Sequence, residues 1–251
     1  MEALRRNGDT SLAVDLGVRL RPIVLAFPIP RMSYMSSRFI HRTSGGALLA
    51  GGVAGTIVPA LHSAHGAGYY LHAMTAASHL LLFCAVLLVS LGLPGLVARG
   101  GAGRWAAHIG AAAAFVGLWC LDGTHGLIDG AVLPALAAAH APFAAALASG
   151  HASQELLAAG PLGTITTIGI PLFAVGSLLL GITLARAGRL PRLVGWAIAG
   201  AWVLAPVSFV IPALRGVGVA LPYVSLAGAG VALLRGGSPT AVGVESIHRA
   251  V

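Results

Sequence analysis

The chain contains no lysine: all fifteen basic residues are arginine, and only seven positions are acidic. Charged residues occupy 9% of its 251 positions, where a soluble domain carries roughly 25%. That deficit excludes an ordinary water-soluble fold and makes lipid the solvent for most of the chain. Runs of period-2 alternation about ten residues long are missing, which argues against a transmembrane barrel. Aromatic residues are also sparse, at 6%, thin for a site that must stabilise cations with ring faces. The two cysteines, Cys84 and Cys120, lie in apolar segments without CxxC spacing and read as buried free thiols. No HxxxH or HxxEH motif supports a metallohydrolase, and no internal repeat supports an inverted-repeat transporter.

What is present is apolar length. Hydrophobic residues make up 57% of the chain, with a mean hydropathy of +0.89. Runs near the ~20 residues that span a bilayer recur, and they predict an all-α polytopic membrane bundle of about six transmembrane helices. The expected spans are roughly 44–62, 69–93 (stopping at Pro94), one starting near Trp105, 162–185, 193–210 and 217–234. The Ala-rich stretch 130–160, broken by Pro134 and Pro142, reads as a half-inserted or surface-lying helix. Residues 1–43 hold seven of the fifteen arginines and read as a poorly ordered cytoplasmic segment, 44–235 as the bundle and 236–251 as a cytoplasmic tail. Residues 22–30 are too short to span and lack a following cleavage site, and Met32 and Met35 are alternative starts.

Arginine placement sets the orientation. Arg99 and Arg104 follow the second span, and Arg186, Arg189 and Arg192 follow the fourth, whereas the connections after spans one and three carry none. Positive loops face the cytoplasm, so both termini are expected inside. The formal charge of +8 is therefore an orientation signal, and no basic face on a soluble fold points to nucleic acid.

Against this background, Trp119-Cys-Leu-Asp-Gly-Thr-His-Gly-Leu-Ile-Asp129 stands out. Asp122, His125 and Asp129 are spaced i, i+3 and i+7, which on an α-helix puts all three on one face. Ionisable groups inside a membrane segment are costly and mark function. Depth reckoned from Trp105 puts Asp122 in the outer third and Asp129 at the outer interface, with His62, His65, His72, His79 and Thr164, Thr166 and Thr167 at the same end. His72 and His79, at i and i+7, share a face of span two, and His108 stands alone near the inner boundary. A carboxylic acid held protonated in an apolar pocket, with an imidazole to take up the charge left behind, is a proton donor aimed at greasy substrates. The expected catalytic set is Asp122, Asp129 and His125. The expected substrate-binding set is His79, His72, Trp119, Phe115, Tyr69 and Tyr70, with Tyr223 a further aromatic within the bundle. No metal or cofactor is expected in this reading. Two alternatives stay open: a zinc, copper or haem site built from His62, His65, His72, His79 and Asp122, and a transporter or accessory protein without chemistry.

At Leu121-Asp-Gly, Ala131–Ala137 and Gly181–Gly195, the chain resembles a broad group of small multi-pass membrane proteins of bacteria, actinobacterial in type, most without an assigned activity. In size, helix count and isolated acidic face it is also similar to the bacterial integral-membrane terpene cyclases that act on prenylated indole alkaloids. That resemblance implies a multi-pass protein of the bacterial plasma membrane that cyclises a farnesyl-type tail through an acidic residue. Asp122 and Asp129 are assigned that role by their chemistry, not by the resemblance.

Overall fold

The computed structural model describes residues 37–61, 71–148, 160–211 and 215–236. They form α1 (Ser37–Leu61), α2 (Ala73–Val97), α3 (Arg104–Ala139), α4 (Ala141–Ala148), α5 (Gly160–Ala187), α6 (Arg192–Val210) and α7 (Arg215–Arg235), with no strand among them. Five of these helices contain stretches long and apolar enough to cross a membrane: 39–61, 73–97, 104–139, 160–187 and 216–235. The chain is thus a multi-pass, all-α membrane helix bundle. The nineteen-residue α6 completes it by packing between α5 and α7.

The long helices close a ring in the order α1, α2, α3, α5, α6, α7 and back to α1. Lipid offers no hydrophobic drive between helices, so small residues that let backbones approach do the joining. Gly51 of α1 meets the Ala85 carbonyl of α2, while Gly52 meets the Tyr223 carbonyl of α7. Gly181 and Gly195 face each other's helices between α5 and α6. Leu48, Val86, Val89, Leu118, Leu180, Ile198 and Leu233 fill the interior.

The arginine-bearing connections gather at one end. Arg99 donates from Nη2 to the Gly236 carbonyl at 2.9 Å, and Gly101 lies against Ala187 and Arg189. Gly45, near the start of α1, packs on Leu233 and Leu234 at the end of α7. The first and last described helices therefore begin and finish at the same end as both Arg-rich links, as an even number of crossings requires.

Several boundaries differ from the expected ones. Helix α1 starts at Ser37, and α2 runs through Pro94 to Val97, because a proline inside a membrane helix is tolerated where neighbours shield the freed carbonyl. The larger correction concerns α3. It continues through Asp122 and Asp129 to Ala139, 36 residues or about 54 Å, so residues 130–139 extend the third helix and do not form a separate one. A bend at His140 separates this helix from the short α4.

Candidate functional site

Two π-turns interrupt α3, one at Trp119–Gly123 and one at Ile128–Val132. Each holds one of the two aspartates, and such bulges cluster at functional sites. A π-turn advances fewer degrees per residue than an α-turn, so the i, i+7 register of Asp122 and Asp129 is lost. The two carboxylates do not share one face. Asp122 turns toward α7 and Asp129 toward α2. Thr124 takes part in the first bulge by donating its hydroxyl to the Trp119 carbonyl five residues back, at 2.8 Å.

On the α7 side, the Tyr223 hydroxyl donates to Asp122 Oδ2 at 2.5 Å. Tyr223 is 1% exposed, and its ring occupies the space that Gly55 of α1 leaves by having no side chain. Beside this pair lies a cavity of about 560 Å³, walled by Asp122 and His125 of α3, Thr166 of α5, Trp202 of α6 and Pro222 of α7. The rest of its wall is aliphatic or glycine. His125 donates from Nδ1 to the Leu121 carbonyl at 2.5 Å, which fixes its tautomer and leaves Nε2 for other partners. The imidazole lies close enough to both Asp122 and Asp129 to interact electrostatically with each.

On the α2 side, His79 Nε2 stands 3.3 Å from Asp129 Oδ2, with both residues buried at 5% and 3% exposure. His79 Nδ1 donates to the Thr75 carbonyl at 2.8 Å, so a hydrogen bond to Asp129 needs a further proton, carried on Nε2 or on the carboxyl. Either way the pair is net neutral, which is what makes its burial tolerable. Asp129 Oδ1 and Thr75 Oγ1 are buried without a hydrogen bond among the described residues. The close approach of α2 depends on glycine: a methyl on Gly126 would lie 2.8 Å from the His79 carbonyl, and one on Gly130 would lie 2.9 Å from the Leu80 nitrogen.

The remaining expected residues fall in different places. Trp119 donates from Nε1 to Ser90 Oγ at 3.0 Å and stacks edge-on against Phe83, so it serves the α2–α3 contact and not the cavity. Phe115 is half-exposed and lines a different groove. His72 is exposed at the start of α2, away from the buried His79. Asp129, expected at the outer interface, lies buried inside a helix. Tyr69, Tyr70, His62 and His65 lie outside the described residues. Of the threonines opening α5, Thr166 reaches the cavity, whereas Thr164 and Thr167 are exposed. No three His, Cys, Asp or Glu side chains converge among the described residues, and Asp122 and His79 face different neighbours, which separates two members of the alternative metal set.

Trp202 on the cavity wall was not singled out by the sequence, and Tyr223, expected only as an aromatic within the bundle, is the partner of Asp122. A depth count holds a signal for the second. Tyr223 lies a short way into a span entering from the outer side, level with an aspartate expected in the outer third. No protein-family model, curated protein or solved structure matches this chain.

Proposed function

We propose that this chain is an integral-membrane enzyme of the bacterial plasma membrane that cyclises a lipophilic prenyl or terpenoid substrate by protonating it from Asp122. One observation carries the reading: a carboxyl and an imidazole stand together on the wall of an otherwise apolar cavity of about 560 Å³. That volume falls within the roughly 300–1,000 Å³ of small-molecule sites.

In the proposed reaction the Asp122 carboxyl gives its proton to carbon of a terminal alkene of the substrate. The electron pair that accepts the proton leaves a cation, an internal alkene supplies the pair that forms the ring bond, and loss of a C–H proton restores a double bond. The product is an isomer of the substrate, so the step needs no oxidant, reductant or cofactor. Tyr223 steadies the carboxylate left behind through its hydrogen bond. Trp202, on the cavity wall, is the aromatic assigned to stabilise passing positive charge. His125 Nε2 accepts the final proton and passes it to solvent, from which Asp122 is reprotonated, and the Asp129–His79 pair supports His125 from the far side of α3.

The test is Asp122→Asn. The purified variant, with an unchanged thermal melt, is expected to form isomeric product from a farnesyl-bearing aromatic compound at least ~100-fold more slowly than the native chain. Full activity in that variant ends the assignment. A second reading, proton-coupled movement of a lipophilic solute without chemistry, is favoured by the Asp129–His79 pair, which holds a proton away from the cavity wall. It predicts proton uptake into proteoliposomes with no isomer formed.

A further inference from the structure

A second concavity, of about 490 Å³, lies between α2 and α3 at the arginine-rich end of the bundle. The two helices meet closely at Gly126 and Gly130 and part toward their other ends, so the groove opens sideways. Leu93 and Val97 of α2 and Ala111 and Phe115 of α3 make its walls apolar, and Arg104 and His108 stand at one end of it. Both basic side chains are exposed. His108 donates from Nδ1 to the Arg104 carbonyl at 2.7 Å, so Nε2 holds an outside anionic oxygen in the protonated ring, where it too carries a hydrogen. From Arg104 to Phe115 the groove follows eleven residues of helix, about 16 Å, or one leaflet of a hydrocarbon core ~30 Å thick.

Charge at this end is one-sided. The only acids among the described residues are Asp122 and Asp129, and neither is near it. Arg99, next in the chain to Ala98 on the groove wall, is partly buried and turns its Nη2 to the Gly236 carbonyl at the same end, and its Nε has no hydrogen-bond partner among the described residues. Burial, and then the Arg189 guanidinium nearby, lower the pKa of Arg99 from the ordinary arginine value. Cations with no counter-charge among the described residues, beside an apolar slot, call for a ligand with an anionic head and a hydrocarbon body. The exposed Trp105 beside Arg104 fits a headgroup-level position.

We infer that the α2–α3 groove binds one anionic phospholipid of the inner leaflet, its phosphate held by Arg104 and His108 and one acyl chain lying along Leu93, Val97, Ala111 and Phe115. The inference stands apart from the proposed chemistry at Asp122.

Native mass spectrometry of the full chain, released from mixed phosphatidylglycerol–phosphatidylcholine micelles, tests it. The native chain is expected to retain phosphatidylglycerol in preference to phosphatidylcholine. Arg104→Gln with His108→Gln is expected to lower that retention by about fivefold or more. Ala112→Phe, which fills the groove from its exposed wall without changing charge, is expected to do the same. Arg192→Gln removes one charge at the same end and is expected to leave retention unchanged. Equal retention of both lipids overturns the inference, as does an unaltered double variant. Loss in Arg192→Gln equal to that in the double variant overturns it by reducing the effect to net charge. Displacement of the lipid by millimolar glycerol phosphate overturns the acyl part by showing that the headgroup alone suffices.

Discussion

Tyr223 reaches Asp122 from a helix that begins almost a hundred residues later, and it does so because Gly55, on a third helix, leaves room for its ring. Tyr223→Phe keeps the ring and loses the hydroxyl. It is expected to leave the thermal midpoint within a few degrees while slowing product formation roughly tenfold, the effect of one lost hydrogen bond to a charged group. Stability and rate measured on the same preparation separate these outcomes, and a rate equal to that of the native chain would contradict the role given to Tyr223. His79 and Asp129 call for a different comparison. His79→Leu leaves a buried carboxyl without its partner and is expected to destabilise by about 3–5 kcal/mol, whereas His79→Leu with Asp129→Leu removes both polar groups and is expected to recover much of that loss. Denaturant melts of the two variants decide it; a double variant worse than the single one would mean the pair is not a unit.

At the scale of the element, α3 decides the site. A regular helix would have set Asp122 and Asp129 on one face two turns apart, as their spacing predicts. The two π-turns instead send one to the cavity and one to α2, and so turn a single acidic face into two separate pairs. That rotation was not legible in the sequence, because an extra residue in a helical turn is selected by what the neighbouring helices offer and leaves no fixed pattern of its own. The glycines that permit the contacts were legible as composition but not as positions. Gly51-xxx-Gly55 reads as a generic approach motif, yet its first glycine faces α2 and its last seats the Tyr223 ring. Gly55→Ala and Gly126→Ala are each expected to cost about 1–3 kcal/mol, since the added methyl meets a buried ring in one case and backbone in the other. Gly46→Ala, where the added methyl meets nothing, is the matched control and is expected to be neutral. Melts in one detergent compare the three; a neutral Gly55→Ala would show that Tyr223 has room to shift.

For the whole molecule, the sequence carried most of the answer. Apolar run lengths and the clustering of arginine between alternate spans define a polytopic helical bundle, because the bilayer imposes both its thickness and its positive-inside bias directly on composition. What composition leaves out is which side chains meet across the ring, and that is why Trp119 and Phe115 were expected beside Asp122 while Trp202 was overlooked. Orientation is open to a direct check. With Cys84 and Cys120 changed to Ala, His140→Cys is expected to react with a membrane-impermeant thiol reagent on intact cells, and Arg192→Cys only after lysis. The reverse pattern would turn the bundle over and put the Asp122 cavity nearer the opposite surface.

The central claim is that a proton from solvent passes through Asp122 onto carbon, and running the reaction in D₂O tests it most directly. A farnesyl-bearing substrate incubated with the native protein in D₂O is expected to give an isomer carrying one carbon-bound deuterium, with Asp122→Asn giving none above background. An isomer formed without deuterium, or formed equally well by the Asn variant, would contradict the account.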